Sequence, residues 1–237
     1  MSARVALVPA WVLHARPYRD TSLLLEALTD EHGRVGLVAR GVRGPKGRWR
    51  GLLQPLQPLL LSWSGRGELG TVTGCEAAGP AVALRDEPLL SAWYLNEVLL
   101  RVLQRNDPQP AIFSIYGVAL AALAAGPAPA APLRLFEKRL LDALGWGPAY
   151  GHAADDGSAV VAGRRYGFTP ERGVLAAGGG DIEVDGAALL ALAREDLSDP
   201  AAAAGARRVL RTALAPHLGE RPLESRALLR QWRARAQ

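Results

Sequence analysis

The sequence predicts an α+β protein in which a small closed barrel of five β-strands precedes a mainly α-helical region with a small irregular or β insertion. Two observations lead to this prediction. The first 80 residues contain five short runs rich in Val, Leu, Thr and Trp, which Gly and Pro turn signals separate. After Gly79-Pro80, apolar residues instead recur every three to five positions, which is typical of helices.

The five predicted strands define an amino-terminal domain at 1–80. They are VALVPAWVL (5–13), TSLLLEALT (21–29), RVGLVAR (34–40), LQPLLLSW (56–63) and ELGTVTGCEA (68–77). The turn signals between them are Arg16-Pro17, His32-Gly33, the segment 44–51 and Gly65-Arg66-Gly67. Because so many short strands follow one another so closely, we expect the sheet to close on itself.

Residues 81–237 form the second predicted domain, which is mainly helical. Three predicted helices cover 88–106, 110–126 and 132–145, and three more cover 185–196, 199–219 and 222–235. Between the two sets lies a glycine-rich insertion at 146–184 with short Val, Tyr and Phe pieces. We expect small hairpins or an ordered loop module there.

The net charge of +5 is unevenly distributed along the chain. Residues 1–80 carry +4, residues 81–206 carry −5 and residues 207–237 carry +6. Basic ends favour a polyanion or a membrane surface as partner, although 26 of the 28 cations are Arg, which can also reflect the nucleotide composition of a genome. The sequence has no hydrophobic signal core and no apolar run long enough for a membrane span, so we expect a cytoplasmic protein.

Residues that carry catalysis or bind a cofactor are not recognisable. The chain has one cysteine, so neither an internal disulfide nor a cysteine-rich zinc site is expected. No phosphate-binding loop or nucleophile motif occurs, and His14, His32, His152 and His217 are scattered. His152 with Asp155 and Asp156 is a weak metal candidate, and a solvated loop is favoured over it. We therefore expect no catalytic residues, no metal and no cofactor.

The segment LVARGVRGPKGRWRG (37–51) is the strongest functional candidate, because it is rich in cations and contains no acidic residue. Cations on a glycine-rich loop can follow a phosphate backbone, and Trp49 offers a face on which an unpaired base can stack. The alternative is a solvated loop with Trp49 folded onto the barrel. The cations are Arg40, Arg43, Lys46, Arg48 and Arg50; Arg16, Arg19, Arg34 and Arg66 would enlarge the patch if they share its face.

Four segments, 12–76, 94–103, 133–147 and 221–232, resemble in order the bacterial recombination mediator family RecO. The resemblance implies an oligonucleotide/oligosaccharide-binding (OB) barrel, a helical domain and a non-enzymatic role in DNA repair and recombination. Members bind single- and double-stranded DNA, anneal complementary strands, and work with RecR to load RecA onto strands coated by the single-strand-binding protein. A nucleoid-associated location is implied. By composition alone, an RNA-binding or ribosome-associated barrel protein remains the alternative.

The resemblance also bears on particular residues. Many members carry a four-cysteine zinc module where this chain has 151–168, and those cysteines are absent here. We expect packing of Tyr166, Phe168 and the pair Val160-Val161 to hold this segment instead. The predicted DNA-binding residues are Arg34, Arg40, Arg43, Lys46, Arg48, Trp49, Arg50 and Arg66, and the basic carboxy-terminal helix with Arg226, Arg230, Arg233 and Arg235 is a second candidate.

A protein partner is expected on the helix that follows Pro132. Pro132 suits the first helical position, which would place Arg134 in the first turn. An anion there would meet the Arg134 guanidinium and unpaired backbone N–H groups. The resemblance implies that the acidic, apolar carboxy-terminal tail of the single-strand-binding protein docks on the helical domain. Arg134 is the predicted receptor of its carboxylate, beside an apolar stripe that includes Leu133 and Phe136.

Overall fold

A computed structural model describes residues 3–65, 67–126 and 128–236. Its first five strands are β1 (Ala3–Tyr18), β2 (Ser22–Thr29), β3 (Gly33–Ala39), β4 (Pro58–Gly65) and β5 (Leu69–Ala77). They form a closed barrel in the order β1-β2-β3-β5-β4, in which only β3 and β5 pair in parallel. The barrel confirms the predicted OB-type fold.

Alternation of side chains along the strands fills the barrel. On β4, Leu59 and Leu61 are buried, while the alternate residues Leu60 and Ser62 are partly exposed. Leu25 on β2 and Leu37 on β3 meet the same core. Because successive strand residues point to opposite faces, this alternation places one apolar face of each strand inside. Each fully buried aliphatic side chain contributes roughly 1.5–3 kcal/mol to that core.

The first strand is longer than predicted, because the expected turn at Arg16-Pro17 does not form there. Pro17 pairs with Leu23 and Tyr18 pairs with Ser22, so the turn lies at residues 19–21. Arg19 in this turn has a φ of 49°, in the left-handed region. A proline fits near the end of a strand because its fixed φ is compatible with extended backbone.

Six helices lie in the described part of the chain, as predicted. They are α1 (Asp86–Val102), α2 (Pro110–Ala124), α3 (Ala130–Ala143), α4 (Gly186–Arg194), α5 (Pro200–Leu214) and α6 (Glu224–Ala236). A short 3₁₀ turn, Ala215–His217, follows α5. Among the described residues, no helix is both long enough and apolar enough to span a bilayer.

Helix α3 begins two residues before the predicted position. Pro129 is its N-cap, and the Leu133 N–H donates to the Pro129 carbonyl at 3.1 Å. Pro132 is therefore the third helical residue, which is tolerated because the first N–H groups of a helix have no intrahelical acceptor. Arg134 lies in the second turn and not in the first, so the expected position of its guanidinium at the positive end of the helix dipole was wrong.

The predicted small β insertion is a three-stranded antiparallel sheet. Its strands are β6 (Arg165–Thr169), β7 (Gly173–Leu175) and β8 (Ile182–Asp185), in the order β7-β6-β8. Tyr166, Phe168 and Val160 are buried, as expected. Val161 is 60% exposed, so its predicted packing role was wrong. Its N–H instead donates to the Tyr166 hydroxyl at 2.8 Å, which fixes the backbone and leaves the side chain outside.

Packing divides the chain into two compact units, unit 1 (Met1–Pro127 with Leu223–Gln237) and unit 2 (Ala128–Pro222). Unit 1 joins the barrel to α1, α2 and α6. Buried Asn96 on α1 donates to the Leu13 carbonyl at 2.9 Å and accepts from the Tyr116 hydroxyl at 2.6 Å. The predicted domains at 1–80 and 81–237 follow the change from strands to helices instead, which lies between β5 and α1. They remain a prediction, because packing and secondary structure divide the chain differently.

Candidate nucleic-acid interface

The link from β3 to β4 begins with a cationic loop, defined here as residues 40–50, that is built from consecutive turns. The Gly44 N–H donates to the Gly41 carbonyl at 3.2 Å, and the Gly47 N–H donates to the Gly44 carbonyl at 3.1 Å. The Arg50 N–H likewise donates to the Gly47 carbonyl at 3.4 Å. A cation precedes each of the three glycines. The turns therefore present positive side chains at a regular spacing of three residues.

Buried apolar residues hold this link against the barrel. Val42 and Leu53 belong to the barrel core, and the partly buried Leu52 packs against it. The backbone of Gly47 packs tightly against Val42: a Cβ atom at Gly47 would lie 2.0 Å from the Val42 carbonyl oxygen. The loop is thus ordered by burial of its apolar residues, which leaves its cations outside.

All five cations of the loop are exposed: Arg40, Arg43, Lys46, Arg48 and Arg50. Within the described residues none of the five has an acidic side chain within ion-pair distance. Like charges so close together repel one another and attract a polyanion. The loop therefore has the electrostatic character of a phosphate-binding surface.

The turn between β1 and β2 lies beside the cationic loop. The Arg43 N–H donates to the Thr21 carbonyl at 2.8 Å, and the Arg43 guanidinium reaches the Arg19 carbonyl at 3.4 Å. Arg19 itself is exposed, with its guanidinium 5.3 Å from the centre of the Tyr18 ring. Asp20 in the same turn is also exposed and reduces the local positive charge. The patch thus continues onto a second loop at this end of the barrel.

Trp49 is held in part by the barrel. Its side chain is partly buried and packs against the barrel core. The Arg48 guanidinium carbon lies 5.9 Å from the centre of its ring, a distance at which cation–π attraction operates. Packing on the barrel and contact with Arg48 both restrict the ring surface on which a base could stack. Stacking on Trp49 stays a prediction.

Arg34 lies near the start of β3, whereas the cationic loop follows the end of that strand. At the rise per residue of a β-strand, the backbone from Arg34 to Arg40 spans roughly 20 Å. Its guanidinium donates to the Leu100 carbonyl and lies 3.6 Å from the Glu26 carboxylate. Burial lowers the pKa of Arg34, although the charge of Glu26 opposes this effect. These contacts tie Arg34 to α1 through Leu100 and to β2 through Glu26, and its predicted contact with DNA remains a prediction. The other predicted residue, Arg66, lies outside the described residues.

Matches to known proteins agree with this geometry. A family model described as "Recombination protein O N terminal" matches residues 1–81, and one described as "Recombination protein O C terminal" matches residues 87–227. The chain belongs to the RecO family. A protein of Nitrosococcus oceani named "DNA repair protein RecO" is 49% identical over 97% of this chain and 95% of its own length. Proteins of the same name from Alkalilimnicola ehrlichii and Haemophilus influenzae are 47% and 40% identical, over 96% and 93% of this chain and 92% and 94% of their own lengths.

In this RecO-family chain, the predicted partner-binding residues lie on α3 in unit 2. The Arg134 guanidinium contacts the Glu137 carboxylate at 2.6 Å, and the side chains are 12% and 2% exposed. Leu133 and Phe136 are buried in the core. Their side chains are thus already packed, so an incoming apolar residue would have to use other surface beside Arg134.

The basic carboxy-terminal helix of this RecO-family chain is α6, which packs in unit 1. The Arg226 guanidinium donates to the Tyr94 hydroxyl at 3.2 Å, and Arg233 pairs with Glu87. Two of the four predicted arginines therefore contact α1. Arg230 and Arg235 are exposed.

In the segment 151–168 of this RecO-family chain, carboxylates organise loops. The Asp155 carboxylate accepts from the backbone N–H groups of Ala176 and Ala177 at 2.8 and 3.0 Å, and Asp156 accepts from the Ser158 N–H at 2.9 Å. These backbone hydrogen bonds lower the pKa of Asp155. Across residues 3–65, 67–126 and 128–236, no three His, Cys, Asp or Glu side chains are grouped to hold a metal ion.

Proposed function

We propose that this RecO-family chain is a DNA repair and recombination mediator that binds single- and double-stranded DNA, anneals complementary strands, and helps to load RecA onto strands coated by the single-strand-binding protein. The observation that supports this proposal most is the cationic loop, whose five exposed cations are anchored to a closed barrel. The proposed activity makes and breaks base pairs and involves no covalent bond chemistry. It takes place in the cytoplasm, on the nucleoid.

The cationic loop supports binding through the phosphate backbone. Guanidinium and ammonium groups contact phosphates without regard to sequence. A strand held in this way keeps its base edges available for a complementary strand, which annealing requires. Single strands of any sequence should therefore bind with similar affinity, and affinity should fall as salt is raised.

Two protein partners belong to the proposal, RecR and the acidic tail of the single-strand-binding protein. For the tail, Arg134 is the proposed receptor of the terminal carboxylate. Glu137 already occupies part of the Arg134 guanidinium, so a docked carboxylate would share it or displace Glu137. The tail peptide should bind this chain in the absence of DNA.

An annealing experiment tests the function. Complementary strands, each coated with the cognate single-strand-binding protein, are mixed with and without this chain, and duplex formation is followed by fluorescence energy transfer. The chain should accelerate annealing, and the Arg43→Ala/Lys46→Ala/Arg48→Ala variant should do so less. An equal rate with and without the wild-type chain would contradict the proposal. Competition between single-stranded DNA and RNA of the same sequence distinguishes the RNA-binding alternative, which would bind RNA more tightly.

A further inference from the structure

Several cations of unit 2 are paired with acidic side chains. Lys138 contacts Asp142 at 2.8 Å and Glu195 at 3.1 Å, and Arg139 also pairs with Glu195 at 2.5 Å. Arg165 lies 3.4 Å from Glu183 on the small sheet, and Arg134 contacts Glu137 on α3, as described above. Ion pairs of this kind cancel most of the field that a polyanion could sense. Exposed cations without an acidic neighbour keep that field.

Helix α5 departs from this arrangement. No acidic residue occurs from Pro200 to Gly219, although the helix carries Arg207, Arg208 and Arg211. Arg208 and Arg211 are exposed, and neither has an ion pair or side-chain hydrogen bond within the part of the chain that the structure describes. The opposite face of the helix is buried, through Ala202, Ala206, Val209, Leu210 and Ala213. Packing thus fixes which face of α5 points outward.

The spacing of these two arginines suits a phosphate backbone. Residues three apart on a helix lie on one side of it, and Arg208 and Arg211 are separated by about 4.5 Å along the axis. Long guanidinium side chains at this spacing can reach neighbouring phosphates of one strand. Arg211 also lies in the last turn, where a cation stabilises the helix dipole, but this effect does not account for Arg208 in the middle of the helix.

An aromatic pair near the end of the same helix favours an unpaired strand over a duplex or an acidic membrane surface. His217, in the 3₁₀ turn that follows α5, stacks on Trp146 with ring centres 3.6 Å apart and planes 5° from parallel. This spacing and alignment are those of stacked bases, so a base without a partner can extend the stack. The distance from Arg211 to His217 along the helix is about 9 Å.

We propose that the outward face of α5, with Arg208 and Arg211, is a second single-strand-binding surface that holds the complementary strand while the cationic loop holds the first. The inference rests on the proposed function, because it assigns each of the two annealing strands to its own compact unit. A chain with two separate cationic surfaces can hold two like-charged strands at once. Both strands are then held by one chain.

A second-strand capture experiment tests the proposal with the full chain. The chain is saturated with a biotinylated single strand on beads, and capture of a labelled, non-complementary second strand is measured. The variant is Arg208→Ala/Arg211→Ala, and the control is Arg165→Ala/Arg172→Ala, which removes two other exposed cations from the same unit. Alanine is a better helix former than arginine, so α5 should remain folded, and circular dichroism checks this.

Compared with the wild type, Arg208→Ala/Arg211→Ala should capture the second strand at least about fivefold less, and its affinity for the first strand should change less than about twofold. The control should change neither quantity. Equal capture by the variant and the control would overturn the proposal. Displacement of the second strand by duplex DNA at equal concentration would overturn the assignment to single strands. The two captured strands are not complementary, so this experiment does not depend on annealing. A wild-type chain that captures two strands here but does not accelerate annealing of complementary strands would contradict the proposed function and leave the second surface standing.

Discussion

The backbone of Gly47 packs so closely on Val42 that a Cβ atom at Gly47 would lie 2.0 Å from the Val42 carbonyl oxygen. Real Cβ atoms do not approach backbone oxygens so closely, so only glycine fits without a shift of the backbone. Val42 in turn belongs to the barrel core. The contact therefore fixes the backbone of the cationic loop relative to the interior of the barrel.

Gly47→Ala should weaken binding of single-stranded DNA several-fold, because the loop must move away from Val42 and its cations lose their common arrangement. Gly44→Ala is the matched control, since its added Cβ would lie 3.3 Å from the Gly41 carbonyl oxygen, a contact that a small shift relieves. Fluorescence anisotropy with a labelled oligonucleotide measures both variants. Equal affinities for the two variants would show that the path of the loop does not matter for binding.

The Arg134–Glu137 pair predicts a stability effect in unit 2. Arg134→Ala leaves a carboxylate that is 2% exposed without this cation, and breaking such a pair costs on the order of 3 kcal/mol. Arg134→Ala/Glu137→Gln should recover much of that loss, because the glutamine carries no charge. Urea unfolding curves compare the two variants. If the double variant were no more stable than Arg134→Ala, the buried charge would not be the cause.

The same double variant tests tail binding without the complication of an unstable fold. If Arg134 receives the tail carboxylate, affinity for a fluorescent tail peptide should fall about tenfold or more, equivalent to about 1.4 kcal/mol. Affinity for bare single-stranded DNA should hardly change, because the cationic loop is intact. An unchanged peptide affinity would exclude Arg134 as the receptor.

The contact of helix α6 with α1 should weaken in acid. The Glu97 carboxylate accepts from the Ser225 hydroxyl at 2.6 Å and from the N–H groups of Ser225 and Glu224, each at 2.9 Å. Burial acts to raise the pKa of Glu97, but these hydrogen bonds outweigh it and hold the pKa below its ordinary value of 4.5. A lowered pKa means that the contribution to stability is complete above pH 4.5 and is lost as the pH falls through the folded-state pKa.

Hydrogen exchange measures this acid effect. Protection of the α6 amides should fall on acidification, once intrinsic exchange rates are corrected, before protection of the α1 amides does. Glu97→Gln should lower α6 protection at neutral pH and remove most of its dependence on pH. A wild-type pH dependence that persists in Glu97→Gln would assign the effect to another carboxylate.

Most of the fold could be predicted because it follows local patterns. Alternating apolar residues predict the strands, and the change of period after Gly79-Pro80 predicts the helices. The errors occur at prolines, whose effect depends on position. Pro17 fits within β1 and Pro132 fits within the first turn of α3, although the sequence predicts a boundary at each. The prediction for Val161 is wrong because the sequence does not tell which of two adjacent valines faces the core.

The site was predictable in part. The absence of acidic residues around the cationic loop indicated that its cations have no local partners, and a glycine every three residues was a visible sign of repeated turns. The contacts of Arg34 were not predictable, because Glu26 and the Leu100 carbonyl become its neighbours only in the fold. The same holds for Glu97, which is 128 residues from Ser225. The absence of acidic residues on α5 is readable from the sequence, whereas the exposure of Arg208 and Arg211 on one face of it is seen only in the fold.

The salt dependence of single-strand binding tests the central claim most directly. If four or five cations of the loop contact phosphates, the logarithm of affinity should fall with the logarithm of salt concentration with a slope of roughly −3, and Arg43→Ala/Lys46→Ala/Arg48→Ala should reduce that slope to roughly −1. Arg85→Ala/Arg165→Ala/Arg172→Ala removes the same charge from exposed positions elsewhere and should leave the slope near that of the wild type. Equal slopes for the loop variant and the wild type would place the DNA site elsewhere on the chain.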